Sequence, residues 1–212
     1  MLARARQTRD GALNQHPWLR PILPVGEILF IAAVFAVLLS LIVQPALAGG
    51  PAMTPVVARN EWVIGFPLIY DVHPPQRGDI VLAGSPLSPG ATVIERVIGL
   101  PGENVRIAKG HVYIDGRLLC EPYLRDEGAP PWRKQTTWPS DGQAYFVPLD
   151  HYFLLGDDRN LAVDSRVFGA VGRGDLHAWV WARVLPVSRI GSVDTGEPVQ
   201  TSTAYPGTAG CT

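Results

Sequence analysis

Nucleophilic catalysis needs a hydroxyl, thiol or amine held against a base, and this chain offers few such pairs. Ser85 and Ser88 lie among Gly84, Pro86, Pro89 and Gly90, a composition that makes them turn residues. Thr54 is another candidate hydroxyl, but no base stands near it in sequence. The five histidines are scattered without metal-ligand spacing, so no metal site and no cofactor are expected. Cys120 and Cys211 lie far apart and predict no disulfide framework. Two further blocks combine charged side chains with glycine. One is Glu95-Arg96 with the following Val97-Ile98-Gly99-Leu100-Pro101-Gly102-Glu103; the other runs from Gly156-Asp157-Asp158-Arg159 through Asp164-Ser165-Arg166.

The elements that must position these blocks are mostly extended. Twenty prolines and 22 glycines in 212 residues suit a turn-rich β fold better than a helical bundle. Residues 79–83 and 92–98 are short β-branched runs bounded by Gly and Pro. Residues 104–108 alternate, turn at Lys109-Gly110 and return as 111–114, closed by Asp115-Gly116, which is the pattern of a β-hairpin. Residues 152–155 and 178–184 read as further strands, the latter with so little polar relief that it is expected to be central. Asp126 to Gly142 reads as an irregular insertion.

Residues 28–43 carry no charge, and with their flanks they approach the roughly 20 residues that cross a bilayer. Arg4, Arg6, Arg9 and Arg20 precede this run, which places the N-terminus in the cytoplasm and the rest of the chain on the outer face. The expected organisation is a cytoplasmic segment over 1–23, a transmembrane signal-anchor over 24–47, a β-domain over 49–186 and a disordered tail over 187–212. A competing reading takes Ala46-Leu47-Ala48 as a small-x-small cleavage site of a signal peptide. Both readings export the remainder. The net charge of −1 gives no reason to expect nucleic-acid binding.

The two polar blocks, in this order and behind an apolar segment, resemble the signature blocks of the signal peptidase I family. Glu121-Pro122-Tyr123 and His151-Tyr152-Phe153 resemble it too. The resemblance covers roughly residues 24 to 186 and implies a mainly β fold, a signal-peptidase-I-like β-domain behind a single N-terminal transmembrane helix. It also implies a Ser-Lys dyad, in which a serine attacks the peptide carbonyl and a buried, neutral lysine takes its proton. The residues here do not fit. The family's Ser-Met-x-Pro block reads Ala52-Met53-Thr54-Pro55, so the nucleophile position holds Ala52 and the preceding oxyanion-serine position holds Gly50. The lysine position is Glu95, and the lysine-orienting serine falls on Ala162. Thr54, two residues on from Ala52, is displaced from the nucleophile position by several ångströms.

Glu95 has two readings: a surface strand residue paired with a neighbouring arginine, or a buried carboxyl that desolvation keeps neutral. Asp164 with Arg166 resembles the family's structural ion pair, and Asp157 with Arg96 is a second candidate. Trp62, Phe66, Trp132 and Trp138 are candidates either for contact with the bilayer interface or for ordinary core packing. The expected function is that of an inactive family member (a pseudoenzyme) on the cell membrane. Its expected partners are the lipid bilayer and signal peptides of exported precursors or an active signal peptidase. An active signal peptidase with an unorthodox site and a structural subunit of a membrane complex are the alternatives.

Overall fold

A computed structural model describes residues 22–108, 110–124, 138–140 and 143–193. The chain divides into two compact units, 1–42 and 43–212. The described part of the first unit is one helix, α1 (Ile22–Ile42), 21 residues long, with Val25, Phe30, Ile31 and Phe35 among its exposed side chains. Among the described residues no helix meets the length and hydropathy required to cross a membrane. The helix ends before the expected boundary at 47. Pro45 lacks the N–H that would continue it, and residues 44–47 form a strand of the second unit instead.

The second unit is mainly β, and all its strand pairs are antiparallel. Its strands are β1 (Gln44–Leu47), β2 (Trp62–Phe66), β3 (Ile80–Gly84), β4 (Thr92–Gly99), β5 (Asn104–Ala108), β6 (His111–Ile114), β7 (Arg117–Leu118), β8 (Tyr145–Phe146), β9 (His151–Leu155), β10 (Val171–Gly172), β11 (Leu176–Leu185) and β12 (Gly191–Ser192). The larger sheet runs β1-β2-β11-β3-β4-β9-β10 with β12 added on β11, and the smaller runs β7-β6-β5-β8. The expected hairpin is β5–β6, and Asp115 and Gly116, at φ 49° and 78°, turn the chain from β6 into β7. β11 is interior, as its apolar run predicts, and its second face is covered only in part, at Trp179. Ala178 and Val180 are buried while His177 and Trp181 are exposed.

Two apolar clusters matter for the site. Ile98, Val105, Ile107, Phe153 and Leu155 join the small sheet to the C-terminal half of β4 and to β9. Met53, Val57, Val63, Ile80, Leu82 and Val180 pack the 51–57 turn onto the large sheet. Trp138, at the end of the expected irregular insertion, belongs to the first cluster. It bridges Ile107 through paired backbone hydrogen bonds of 2.7 and 2.8 Å, and its ring lies 4.9 Å from that of Phe153. Trp132 lies outside the described residues.

Two expectations need correction. The tail does not begin at 187: Val187–Arg189 makes a 3-10 turn, β12 pairs with β11, and Val193 is buried in the second cluster. Val193 supplies a buried apolar group that the polar composition around it masks, whereas Val187 and Ile190 are exposed, and residues 194–212 lie outside the described residues. Cys120 is disulfide-bonded, against the reading of two unrelated cysteines. Separation in sequence is a weak argument against a bridge, because closure entropy grows only logarithmically with loop length. Cys211 lies outside the described residues.

Candidate functional site

A cavity of about 340 Å³ opens between the 47–53 segment, the first half of β4 and the loop carrying Leu161 and Val163. Gly50, Ala52 and Glu95 all line it. Ala162 stands beside them through Gly156. A Cβ on Gly156 would lie 2.4 Å from the Ala162 Cβ and 2.6 Å from the Ala52 carbonyl oxygen, so only glycine lets the two segments approach. The Asp158 N–H donates to that same Ala52 oxygen at 2.9 Å and fastens the turn to the loop. Thr54 is not among the lining residues. Ser85 and Ser88 are turn residues, with Ser88 N–H donating to the Ser85 carbonyl at 3.3 Å.

Neighbouring strand residues point to opposite faces, and at 95–96 this separates two kinds of charge. Arg96 is fully buried away from the cavity. Its Nε donates to Asp157 Oδ1 at 2.8 Å, its Nη2 to Oδ2 at 2.6 Å and its Nη1 to the Gly78 carbonyl at 2.9 Å, and the guanidinium lies 3.8 Å from the Tyr123 ring centre. Glu95 faces the cavity, is 1% exposed, and its Oε2 has no hydrogen-bond partner. The surface reading, with a neighbouring arginine as partner, is therefore wrong: β3 and the cavity walls cover the carboxyl, and Arg96 is spent on Asp157. Burial pushes the Glu95 carboxyl up to about 9; Asp164 adds to the rise and Arg166 opposes it.

Asp164 and Arg166 form a bidentate pair at 2.7 Å on both arms. Asp164 also accepts from the N–H of Arg166 at 3.1 Å and of Gly156 at 3.2 Å, and Arg166 Nη1 donates to the Arg159 carbonyl at 2.7 Å. These bonds pin the 156–166 loop whatever residue stands at 162. The sequence reading missed a third ion pair, Arg159 with Glu121, in which Tyr123 also takes part. Both partners stand in the recognised blocks, but their separation of 38 residues conceals the contact. It also missed Ser165, whose Oγ accepts from the Leu154 N–H at 2.9 Å.

The side chains lining the cavity set what chemistry it can do. Thr92 and Glu95 alone among them carry a polar oxygen, and Thr92 is exposed at the start of β4. A carboxyl that titrates near 9 is protonated at neutral pH, so it holds a proton and cannot take one from a hydroxyl. Among the described residues no group of three or more His, Cys, Asp and Glu is placed to hold a metal ion.

An antiparallel β-domain in which both charged blocks converge on one cavity defines the class, and similarity to known proteins assigns it. Residues 22–185 match the family described as signal peptidase, peptidase S26, and the chain belongs to that family. It is 31% identical over 196 residues to a probable signal peptidase I-2 of Synechocystis sp., covering 90% of this chain and 84% of that protein. It is 33% identical over 149 residues to a signal peptidase I of Leptolyngbya laminosa, covering 67% of this chain and 68% of that protein. A crystal structure of a signal peptidase I from Enterococcus faecalis V583 is 34% identical and covers 50% of this chain and 97% of its own. Its TM-score of 0.43 is too low to bear on the fold.

Proposed function

We propose that this protein binds the signal peptides of exported precursors as an added strand and does not cleave them. The observation that carries the reading is an open strand edge beside the cavity. β4 pairs with β3 along Thr92–Arg96, whereas β9 pairs with β4 only from Arg96 onward. Among the described residues no strand covers the second edge of residues 92–95, and those residues line the cavity. Main-chain pairing on such an edge needs no reactive side chain. The absence of cleavage rests on Ala52, Gly50 and Ala162, which bring no hydroxyl, and on a protonated Glu95 in place of an amine base.

The same reading rests on the uncharged run of residues 28–43 and the arginines before it for an N-terminal membrane anchor, with the remainder of the chain on the outer face. The Ala46–Ala48 triplet is held in the sheet: β1 pairs with β2, the Ala48 N–H donates to the Glu61 carbonyl at 2.8 Å, and the Ala48 carbonyl accepts from the Asn60 N–H at 2.8 Å. A peptidase would have to peel this segment from the fold to cut after Ala48. The full chain in detergent, incubated with a precursor carrying an Ala-x-Ala site, is expected to leave it intact. A photo-crosslinker at Leu161 or Val163 should label that precursor and not a scrambled peptide. Specific cleavage, lost on Glu95→Gln, would establish an active peptidase instead, and equal labelling of the scrambled peptide would sink the binding role.

A further inference from the structure

The side chains lining the cavity are apolar except for Thr92, which is exposed, and one buried carboxyl, Glu95, with an oxygen that nothing satisfies. An unmet polar atom of this kind costs about 1–3 kcal/mol unless a ligand group or water answers it. From this geometry, and resting on the peptide-binding reading above, we infer that the site selects peptides presenting a small hydroxyl side chain, threonine or serine, to Glu95.

The chemistry narrows the choice. A protonated carboxyl is one donor and one acceptor, and a hydroxyl answers both with its own acceptor and donor. A peptide carbonyl answers the donor alone. A carboxamide also brings an acceptor and a donor, but its second N–H would stay unanswered among the apolar walls. An ammonium needs several acceptors and would carry a full charge into an apolar cavity, where desolvation of both partners opposes the pair. The charges facing Glu95, Asp164 and Arg166, are already paired with each other. Threonine also suits the lining, because its methyl group matches apolar side chains such as Val93 and Val163 while its hydroxyl can answer Glu95.

The test uses the full chain in detergent and short fluorescein-labelled peptides, identical except for one residue that is Thr, Val or Lys, read by fluorescence anisotropy at neutral pH. Thr is expected to bind about tenfold more tightly than the isosteric Val, the size of one satisfied hydrogen bond. The preference should persist in Glu95→Gln, which keeps a donor and an acceptor, and vanish in Glu95→Leu. Equal binding of the Thr and Val peptides by the native protein overturns the inference and leaves peptide binding standing. So does a Thr preference that survives Glu95→Leu. Tightest binding of the Lys peptide, lost in Glu95→Gln, overturns it in favour of an ionised Glu95. Binding of none of the peptides overturns both the selectivity and the peptide-binding role on which it rests.

Discussion

Replacing Glu95 by glutamine should stabilise the protein, and by an amount that depends on pH. The carboxyl titrates near 9 in the folded chain against an ordinary 4.5, chiefly because burial disfavours its charged form. Between those values the unfolded chain has lost this proton and the folded chain has kept it, so the folded state binds more protons and stability falls as pH rises. The loss begins at the unfolded value and ends once pH passes the folded one. At about 1.4 kcal/mol per pH unit it amounts to roughly 4 kcal/mol by pH 7.5, against less than about 1 kcal/mol at pH 5. Glutamine has nearly the same shape and no charge to lose, so Glu95→Gln escapes this decline. Urea unfolding of native and variant full-length chains at both pH values measures the effect. Comparing the variant with the native protein at each pH cancels every other titrating group. The expected result is a variant more stable by several kcal/mol at pH 7.5 and close to native at pH 5. A difference that is the same at both pH values, or a variant less stable at pH 7.5, would refute the burial argument, because either outcome means that Glu95 is ionised in the fold.

Asp157→Ala should destabilise by about 3–5 kcal/mol in urea unfolding, since it strands the fully buried Arg96 guanidinium; a loss below about 1 kcal/mol would show that the pair does not hold the scaffold. The combined variant Gly50→Ser, Ala52→Ser, Glu95→Lys and Ala162→Ser should cleave an Ala-x-Ala precursor at least about tenfold above the native background. Gly50 accepts the change without strain, because a Cβ there meets nothing within 4 Å, and a folded but inert quadruple variant would mean that the groove has altered along with its side chains.

Strand content and most strand positions were legible because the signals are local. β5 and β6 announce themselves by alternation and by the glycines that close each turn, and β3, β4 and β9 by β-branched or apolar runs between breakers. Ala52, Gly50 and Glu95 could be assigned to one cavity only through the resemblance, since nothing in their spacing shows that segments 43 residues apart in sequence converge. What escaped the sequence was the long-range pairing of small or polar pieces. Residues 44–47 read as the end of a helix because their apolar character continues it, although Pro45 and the register with β2 make them a strand. Residues 187–193 read as tail because a polar composition masked Val193, the one apolar side chain among them that is buried. The Arg159–Glu121 contact and the Cys120 bridge depend on tertiary proximity that no local pattern encodes.

The groups that hold this fold and the groups that would perform the family's reaction are separate sets, and this explains how one set can be exchanged without the other. Arg96–Asp157, Asp164–Arg166 and Arg159–Glu121 draw their partners from backbone, carboxylates and Tyr123, none of which lines the cavity with a side chain. The hydrogen bonds described above for these pairs do not depend on a side chain at 50, 52 or 162. Alanine and glycine at those positions therefore leave the buried ion pairs satisfied. Glu95 differs from the other three positions. A leucine there would avoid the desolvation that glutamate carries, and would do so with greater stability across the neutral range. Retaining an unsatisfied acid at the end of an apolar cavity is costly in the empty protein and favourable only when something polar arrives. That asymmetry fits the partner proposed for Glu95, whereas the proposed loss of cleavage would by itself account for the small residues at the other positions.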